Sequence, residues 1–169
     1  MIIGNGDLAS VLKEVDNDKF LFFASGVSNS KETRLSEYER EEKLLKRLLF
    51  SRDKPKHVVY FSSLCVFYSG TTYAQHKKDM ESLVKENFDH YTIVRIGNIT
   101  WGSNPHTLIN FFKNKINQGE SFEIQDVYRY IVDKDEFLHW IGMIPNWNCE
   151  MNIPGRRMLV KDVIDEYVT

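Results

Sequence analysis

Cysteine is scarce. Cys65 and Cys149 are the only two in 169 residues, and they stand in no metal-ligand spacing. Neither a disulfide framework nor a zinc site is expected. No apolar run approaches the ~20 residues of a membrane span, and no signal peptide is read ahead of the first strand. The expected setting is cytoplasmic and reducing. An excess of charge is lacking too. Lys and Arg total 22 against 24 Asp and Glu, a formal net charge of −2, which argues against a nucleic-acid binder dominated by phosphate contacts. The five histidines are dispersed, with no spacing such as HExxH, so no metal is expected. Repeats, low-complexity tracts and linkers are missing as well, which leaves one domain over residues 1–169.

What is present is apolar residue in short blocks. At 42% apolar and 27% charged, a chain of this length buries roughly 70% of its unfolded surface. Apolar runs short enough for buried strands occur at Met1–Ile3, Phe20–Ala24, His57–Phe61 and Tyr91–Ile96, with shorter ones at Phe122–Ile124 and Tyr130–Val132. Between them lie helical patterns at Asp7–Val15, Leu35–Phe50, Tyr73–Phe88, Thr107–Gln118, Asp133–Ile141 and Val160–Val168. On the second of these, Leu44, Leu45, Leu48 and Leu49 form the stripe, while Arg40, Glu41, Lys43, Lys46 and Arg47 are expected to stay wet. Strands alternating with helices predict an α/β fold, a Rossmann-like doubly wound parallel sheet. Such sheets bind ligands at the carboxyl ends of their strands.

The first strand runs into Gly4-Asn5-Gly6-Asp7-Leu8-Ala9, a GxGxxA pattern between strand and helix. That is the context of the dinucleotide fingerprint. Gly4 permits the tight turn, Gly6 lets backbone approach a pyrophosphate, and Ala9 lets helix lie on strand. The helix start offers N–H groups and a positive dipole end to phosphates. A plain strand-to-helix turn has the same residues. The fingerprint also calls for an acid about 20 residues on, to hold the adenosine ribose. Here that stretch is Phe22-Phe23-Ala24-Ser25-Gly26. Either Ser25 takes the ribose position or the adenosine half of the fold is deleted.

After the His57–Phe61 strand comes Ser63, and ten residues later Tyr73, with Lys77 four further on. Residues four apart share a helix face, so the Lys77 ammonium is expected beside the Tyr73 phenol, favouring the phenolate. Such a tyrosine exchanges a proton with an alcohol oxygen while hydride moves on carbon, and Ser63 would bond the same oxygen. The same residues also suit a helix cap and a solvated helix face. Arg129, placed before a strand, and the Arg156-Arg157 pair are candidates for a substrate diphosphate; a solvated turn is the other reading of the pair. His76 reads as a helix-surface residue. Trp101, Trp140 and Trp147, with Phe111 and Phe112, read as core or a dimer surface.

Over nearly its whole length the chain resembles the extended short-chain dehydrogenase/reductase family, in particular NAD-dependent epimerase/dehydratases acting on nucleotide sugars. Gly4-x-Gly6-x-x-Ala9 resembles the family's cofactor loop. Phe22-Phe23-Ala24-Ser25 resembles the strand whose end, with Ala24, Ser25 and Gly26, borders the cofactor. HVVYFSSLCVF (His57 to Phe67) is similar to the strand carrying the catalytic serine, here Ser63, and Tyr73 and Lys77 match the YxxxK pair. RIGNITWG (Arg95 to Gly102) and YRYIVDKDE (Tyr128 to Glu136) resemble substrate-side segments. The resemblance implies Tyr73 as acid/base, Lys77 lowering its pKa and holding the nicotinamide ribose, and Ser63 orienting the substrate oxygen. It implies Asn98 at the nucleotide-sugar phosphates, and NAD or NADP bound along Gly4, Asn5, Gly6, Asp7 and Leu8. It also implies a homodimer through the helices beginning at Leu35 and Tyr73. The chain departs from the family in length. If Phe20 to Ser25 matches the family's fourth strand, strands two and three are missing with the adenosine-binding acid; the interval from Ser63 to Tyr73 is short, and the substrate part, about 119–169, is reduced. Two functions follow as expectations: an NAD(P)-dependent oxidoreductase or epimerase acting on a nucleotide sugar, or a non-catalytic relative serving as a binding or assembly module in sugar or polysaccharide metabolism.

Overall fold

The computed structural model describes residues 1–51 and 55–169. In chain order they form β1 (Ile2–Ile3), α1 (Asp7–Leu12), β2 (Leu21–Phe23), α2 (Leu35–Leu49), β3 (Val58–Ser63), a 3-10 turn (Leu64–Phe67), α3 (Thr72–Asn87), β4 (Tyr91–Ile96), β5 (Asn98–Ile99), α4 (Leu108–Asn117), β6 (Tyr128–Val132), α5 (Lys134–Gly142), β7 (Cys149–Ile153), β8 (Arg156–Leu159) and α6 (Val160–Tyr167).

A five-stranded sheet in the order β1-β2-β3-β4-β7 is parallel throughout. Its strands β2 to β4 are largely apolar runs because both faces are covered. Successive side chains alternate between those faces. Phe22, Val59, Phe61, Val94 and Ile153 pack with Leu12 of α1 and with Phe137 and Ile141 of α5. Leu21, Phe23, Val58, Tyr60 and Ile93 pack with Leu45 of α2 and with Met80 and Val84 of α3. Helices on both faces make the sheet doubly wound, a Rossmann-like fold. A second sheet, β5-β6-β8, carries α4 and α6 through Ile109, Ile131, Met158 and Val163.

β1 lies at the edge of the large sheet, and β2 is its one partner among the described residues. A full dinucleotide fold places two more strands beyond its first, in the order 3-2-1-4-5-6, and one of them ends in the ribose-binding acid. This sheet stops where they would begin.

Two expectations need correction, and two strands were not expected. Residues 122–124 form no strand; the Phe122 ring instead packs 5.1 Å from that of Phe112. β7 and β8 have no counterpart in the sequence reading. The residues of β7 bury weakly and alternate with polar ones, and the Pro154-Gly155 turn masks the start of β8. Arg156 and Arg157 are thus strand residues rather than a turn. The Arg157 guanidinium lies 3.7 Å from the Tyr128 ring centroid, and Arg156 pairs with Glu166. Of the aromatic residues read as core or dimer surface, Trp101 and Phe112 pack inward, while Trp140 and Trp147 are exposed.

Phe137 is 0% exposed, with the rings of Phe61 and Trp101 at 5.9 and 5.3 Å. Phe137→Ala should cost about 3–5 kcal/mol in urea unfolding. Phe50→Ala, at a side chain 87% exposed, should stay within about 0.5 kcal/mol. Similar losses from both would contradict this packing.

Candidate active site

The carboxyl ends of β1 to β4 open into a cleft of 860 Å³, lined by Gly6, Ser25, Ser63, Tyr73, Lys77 and Asn98 among others. Asn5, Asp7, Leu8, Ala24, Gly26 and Arg129 also line it. Its charged lining is Asp7 against Lys31, Arg40, Lys77 and Arg129, a basic cleft in a chain of net charge −2. A basic cleft draws anions.

The glycine loop forms one wall. Gly4 has φ +131°, and a Cβ there would sit 2.3 Å from the Ala24 carbonyl oxygen. The requirement for glycine at this position is therefore set by the close approach of β1 to the end of β2. A Cβ on Gly6 would meet nothing within 4 Å, so this residue faces open cleft. The Asp7 carboxylate accepts the Ser103 and Asn104 N–H groups, both at 3.0 Å. It ties the loop to the segment leading into α4. α1 has only six residues, so few peptide dipoles add at its start.

On the second wall, Arg40 Nη1 donates to the Ser25 carbonyl and hydroxyl oxygens at 3.2 and 3.3 Å. Ser25 is thus already held by a cation. Gly26 passes directly over Lys77: a Cβ there would lie 2.6 Å from Nζ.

Ser63 ends β3, and its Oγ accepts the Cys65 N–H at 3.3 Å, capping the 3-10 turn. The Thr71 hydroxyl caps α3 by accepting the Ala74 N–H. That cap fixes Tyr73 in the first turn and Lys77 one turn later, with Nζ 5.7 Å from the Tyr73 ring centroid. Cys65 lies between Ser63 and α3, its thiol pushed up by burial.

The electrostatics differ from the sequence expectation. Lys77 is 2% exposed and donates to Glu41 Oε1 at 2.9 Å and to the Tyr60 hydroxyl at 3.2 Å. Its charge is met by Glu41 rather than left to act on Tyr73. Burial pushes the Tyr73 phenol well above its usual value. Cys65 and Glu41 add to that rise, and a contact from Ser63 opposes it.

Glu41 was expected to be wet and is 0% exposed. Its Oε1 also accepts the Tyr60 hydroxyl at 2.6 Å, and Oε2 accepts the Val27 N–H at 2.7 Å. His76, read as a surface residue, brings Nε2 to 3.0 Å from Oε2. Burial by itself would raise this carboxyl, but the Lys77 ammonium and the bonds from His76, Tyr60 and Val27 outweigh it. They hold the group well below the usual carboxylate range. The sequence carried a signal for this. Glu41 precedes Leu45 and Leu48 at helical spacing, on the buried face.

On the substrate side, Asn98 Nδ2 donates to the Tyr130 carbonyl oxygen at 3.1 Å, tying β5 to β6. Arg129 lies within β6, and its Nη1 donates to the Tyr128 carbonyl oxygen at 2.9 Å. Behind the cleft, Arg95 grips Glu81 through two bonds of 2.9 and 2.6 Å. No cluster of three metal-binding side chains occurs among the described residues. Nor, among them, is any helix long and apolar enough to cross a membrane.

By sequence, the chain matches no family model and no curated protein. By structure it is similar to the enzyme WbmG of Bordetella bronchiseptica, solved with NAD (TM-score 0.63, 16% identity, 94% of this chain and 58% of that one). It is also similar to UDP-N-acetylglucosamine 4-epimerase of Methanobrevibacter ruminantium, solved with UDP-N-acetylmuramic acid (TM-score 0.58, 15% identity, 92% and 61%). A third is the capsular polysaccharide assembling protein CapF of Staphylococcus aureus (TM-score 0.57, 19% identity, 93% and 46%). These likenesses establish the Rossmann-like fold. The chain spans between 46% and 61% of the length of those three proteins.

The Glu41 carboxyl has a folded-state pKa below its unfolded value of roughly 4.3. Its stabilisation is therefore complete above that value and is lost as pH falls towards the folded-state pKa. Between pH 6 and pH 3.5 the wild type should lose about 1 kcal/mol more unfolding free energy than Glu41→Gln. Parallel losses in urea titrations would contradict the buried carboxylate.

Proposed function

We propose that the cleft binds a nicotinamide dinucleotide beside a nucleotide sugar or related sugar, and that the chain is an NAD(P)-dependent epimerase- or oxidoreductase-like enzyme. The observation that carries this reading is the convergence of Ser63, Tyr73 and Lys77 on one cleft with the glycine loop. The residues fit part of such a cofactor. Gly6 leaves room for a phosphate, and Lys31, Arg40 and Arg129 supply cations along the same cleft, whereas the Lys77 charge is met by Glu41. The adenosine side has no acid after β2 and no strand beyond β1 among the described residues.

A bound nicotinamide ring supplies hydride exchange at a sugar carbon. The chain supplies the proton chemistry. Tyr73 gives or takes the proton at the sugar oxygen, Ser63 orients that oxygen, and Lys77 holds the nicotinamide ribose. Asn98 and Arg129 meet the phosphates of the sugar nucleotide, and the segment from about residue 119 is the reduced substrate side. A cytoplasmic homodimer pairing through α2 and α3 belongs to the same reading.

A second reading, a non-catalytic binding or assembly module in sugar or polysaccharide metabolism, draws support from the same cleft. The charge of Lys77 is met by Glu41, and the Tyr73 phenol is driven up rather than down.

Fluorescence titration with NAD, NADH, NADP and NADPH tests the first claim. Binding of at least one is expected, and binding of none would overturn the enzyme reading. With a UDP-sugar as substrate, Tyr73→Phe should keep the cofactor and lose about 10²–10⁴-fold in turnover. Cofactor binding without turnover, with Tyr73→Phe silent in complementation, would select the module instead.

A further inference from the structure

We propose that Glu41 is a positioning residue of the cleft: it fixes the Lys77 ammonium against Tyr60 with one N–H left for a ligand, and it neutralises that ammonium beside Tyr73. The ligand part rests on the dinucleotide reading above, whereas the placement of the ammonium does not.

A carboxylate offers about four acceptor positions and an ammonium three donors. All four positions on Glu41 are taken, by Tyr60 and Lys77 on Oε1 and by Val27 and His76 on Oε2. Among the described residues, two of the three Lys77 donors are taken, by Glu41 and Tyr60. A lysine stem is flexible, and two fixed acceptors remove that freedom. The Lys77 side chain is only 3% exposed and that of Glu41 0%, yet Lys77 lines the cleft. Gly26, which also lines the cleft, packs closely on the pair: a Cβ there would stand 2.6 Å from Nζ and 3.0 Å from Glu41 Oε1. Any side chain at position 26 would sit on the ammonium.

Stability does not account for the arrangement. Burying both charges incurs a desolvation penalty that apolar residues of the same volume avoid, and such replacements are often neutral or stabilising. The network also reaches beyond a simple pair. It recruits the Val27 backbone from the β2–α2 loop, Tyr60 from β3 and His76 from α3, so three cleft-forming segments take their position from one carboxylate.

The test is a double-mutant cycle read by NADH binding, with thermal unfolding as the check on folding. Glu41→Gln and Lys77→Met should each weaken NADH about tenfold or more, the worth of a charged hydrogen bond. In the Lys77→Met background, Glu41→Gln should change affinity by less than about twofold. Glu41→Asp, which keeps the charge, should recover most of the loss. The double variant leaves no charge buried alone, so it keeps the cycle readable if Glu41→Gln unfolds: it should then bind NADH as weakly as Lys77→Met. Equal effects of Glu41→Gln in both backgrounds, no effect in either, or a double variant weaker than Lys77→Met would overturn the proposal. If the wild type binds no NADH, the dinucleotide reading fails, and the Lys77 ammonium is read in the free protein. Its 1H–15N resonance should be slowly exchanging in wild type and Glu41→Asp and lost in Glu41→Gln. An unchanged resonance in Glu41→Gln would overturn the proposal on its own.

Discussion

A carboxylate and an ammonium buried together must satisfy nearly every lone pair and proton between them, or the fold that encloses them is lost. Glu41 and Lys77 meet that condition beneath the cleft at 2.9 Å, with Tyr60, Val27 and His76 filling the remaining positions on Glu41. The constraint reaches outward from there. α2 must present residue 41 to the sheet, β3 must turn Tyr60 to the same face, and α3 must start early enough for Lys77 to arrive one turn below Tyr73. The loop after β2 must cross as Gly26, because any Cβ would collide with the pair. Removing either charge alone exposes the other to an apolar interior, at about 3–5 kcal/mol.

The same geometry changes what Tyr73 is. A phenol next to an unscreened ammonium is drawn towards the phenolate. Here the ammonium already has its counter-ion, and burial, Cys65 and Glu41 together hold the proton on the phenol. In this state the tyrosine is a proton donor. That property is compatible with a catalyst in its protonated form and equally with a cleft that only binds.

Much of the fold was legible in the chain because burial on both faces leaves an unambiguous trace. Tyr91–Ile96 is strand over the expected residues, and the leucine stripe of α2 faces the sheet as its spacing requires. The outer strands were only partly legible. In the second sheet β6 lies where a strand is expected, whereas β5 has two residues and β8 follows the Pro154-Gly155 turn. β7, at the edge of the large sheet, alternates weakly, and Phe122 looked like strand while serving as packing for Phe112. At the site, the order Ser63, Tyr73, Lys77 was readable, since helix geometry carries Tyr73 and Lys77 to one wall. Glu41 was not, because a charge on a helix is ordinarily solvated. Only its register with Leu45 gave it away. The Arg40 bond to Ser25 was equally invisible, being a contact between a loop and a helix 15 residues apart.

The absence of strands beyond β1 in the described sheet and the basic lining of the cleft pull in opposite directions. One removes the usual seat for adenosine, and the other retains attraction for phosphate. A structure determined with NADH decides between them most directly. Density is expected along Gly4 to Ala9, with the nicotinamide ribose within hydrogen-bond reach of Lys77 Nζ. A cleft without density at saturating NADH, and with Lys77 still enclosed by Glu41 and Tyr60 alone, would contradict the dinucleotide reading.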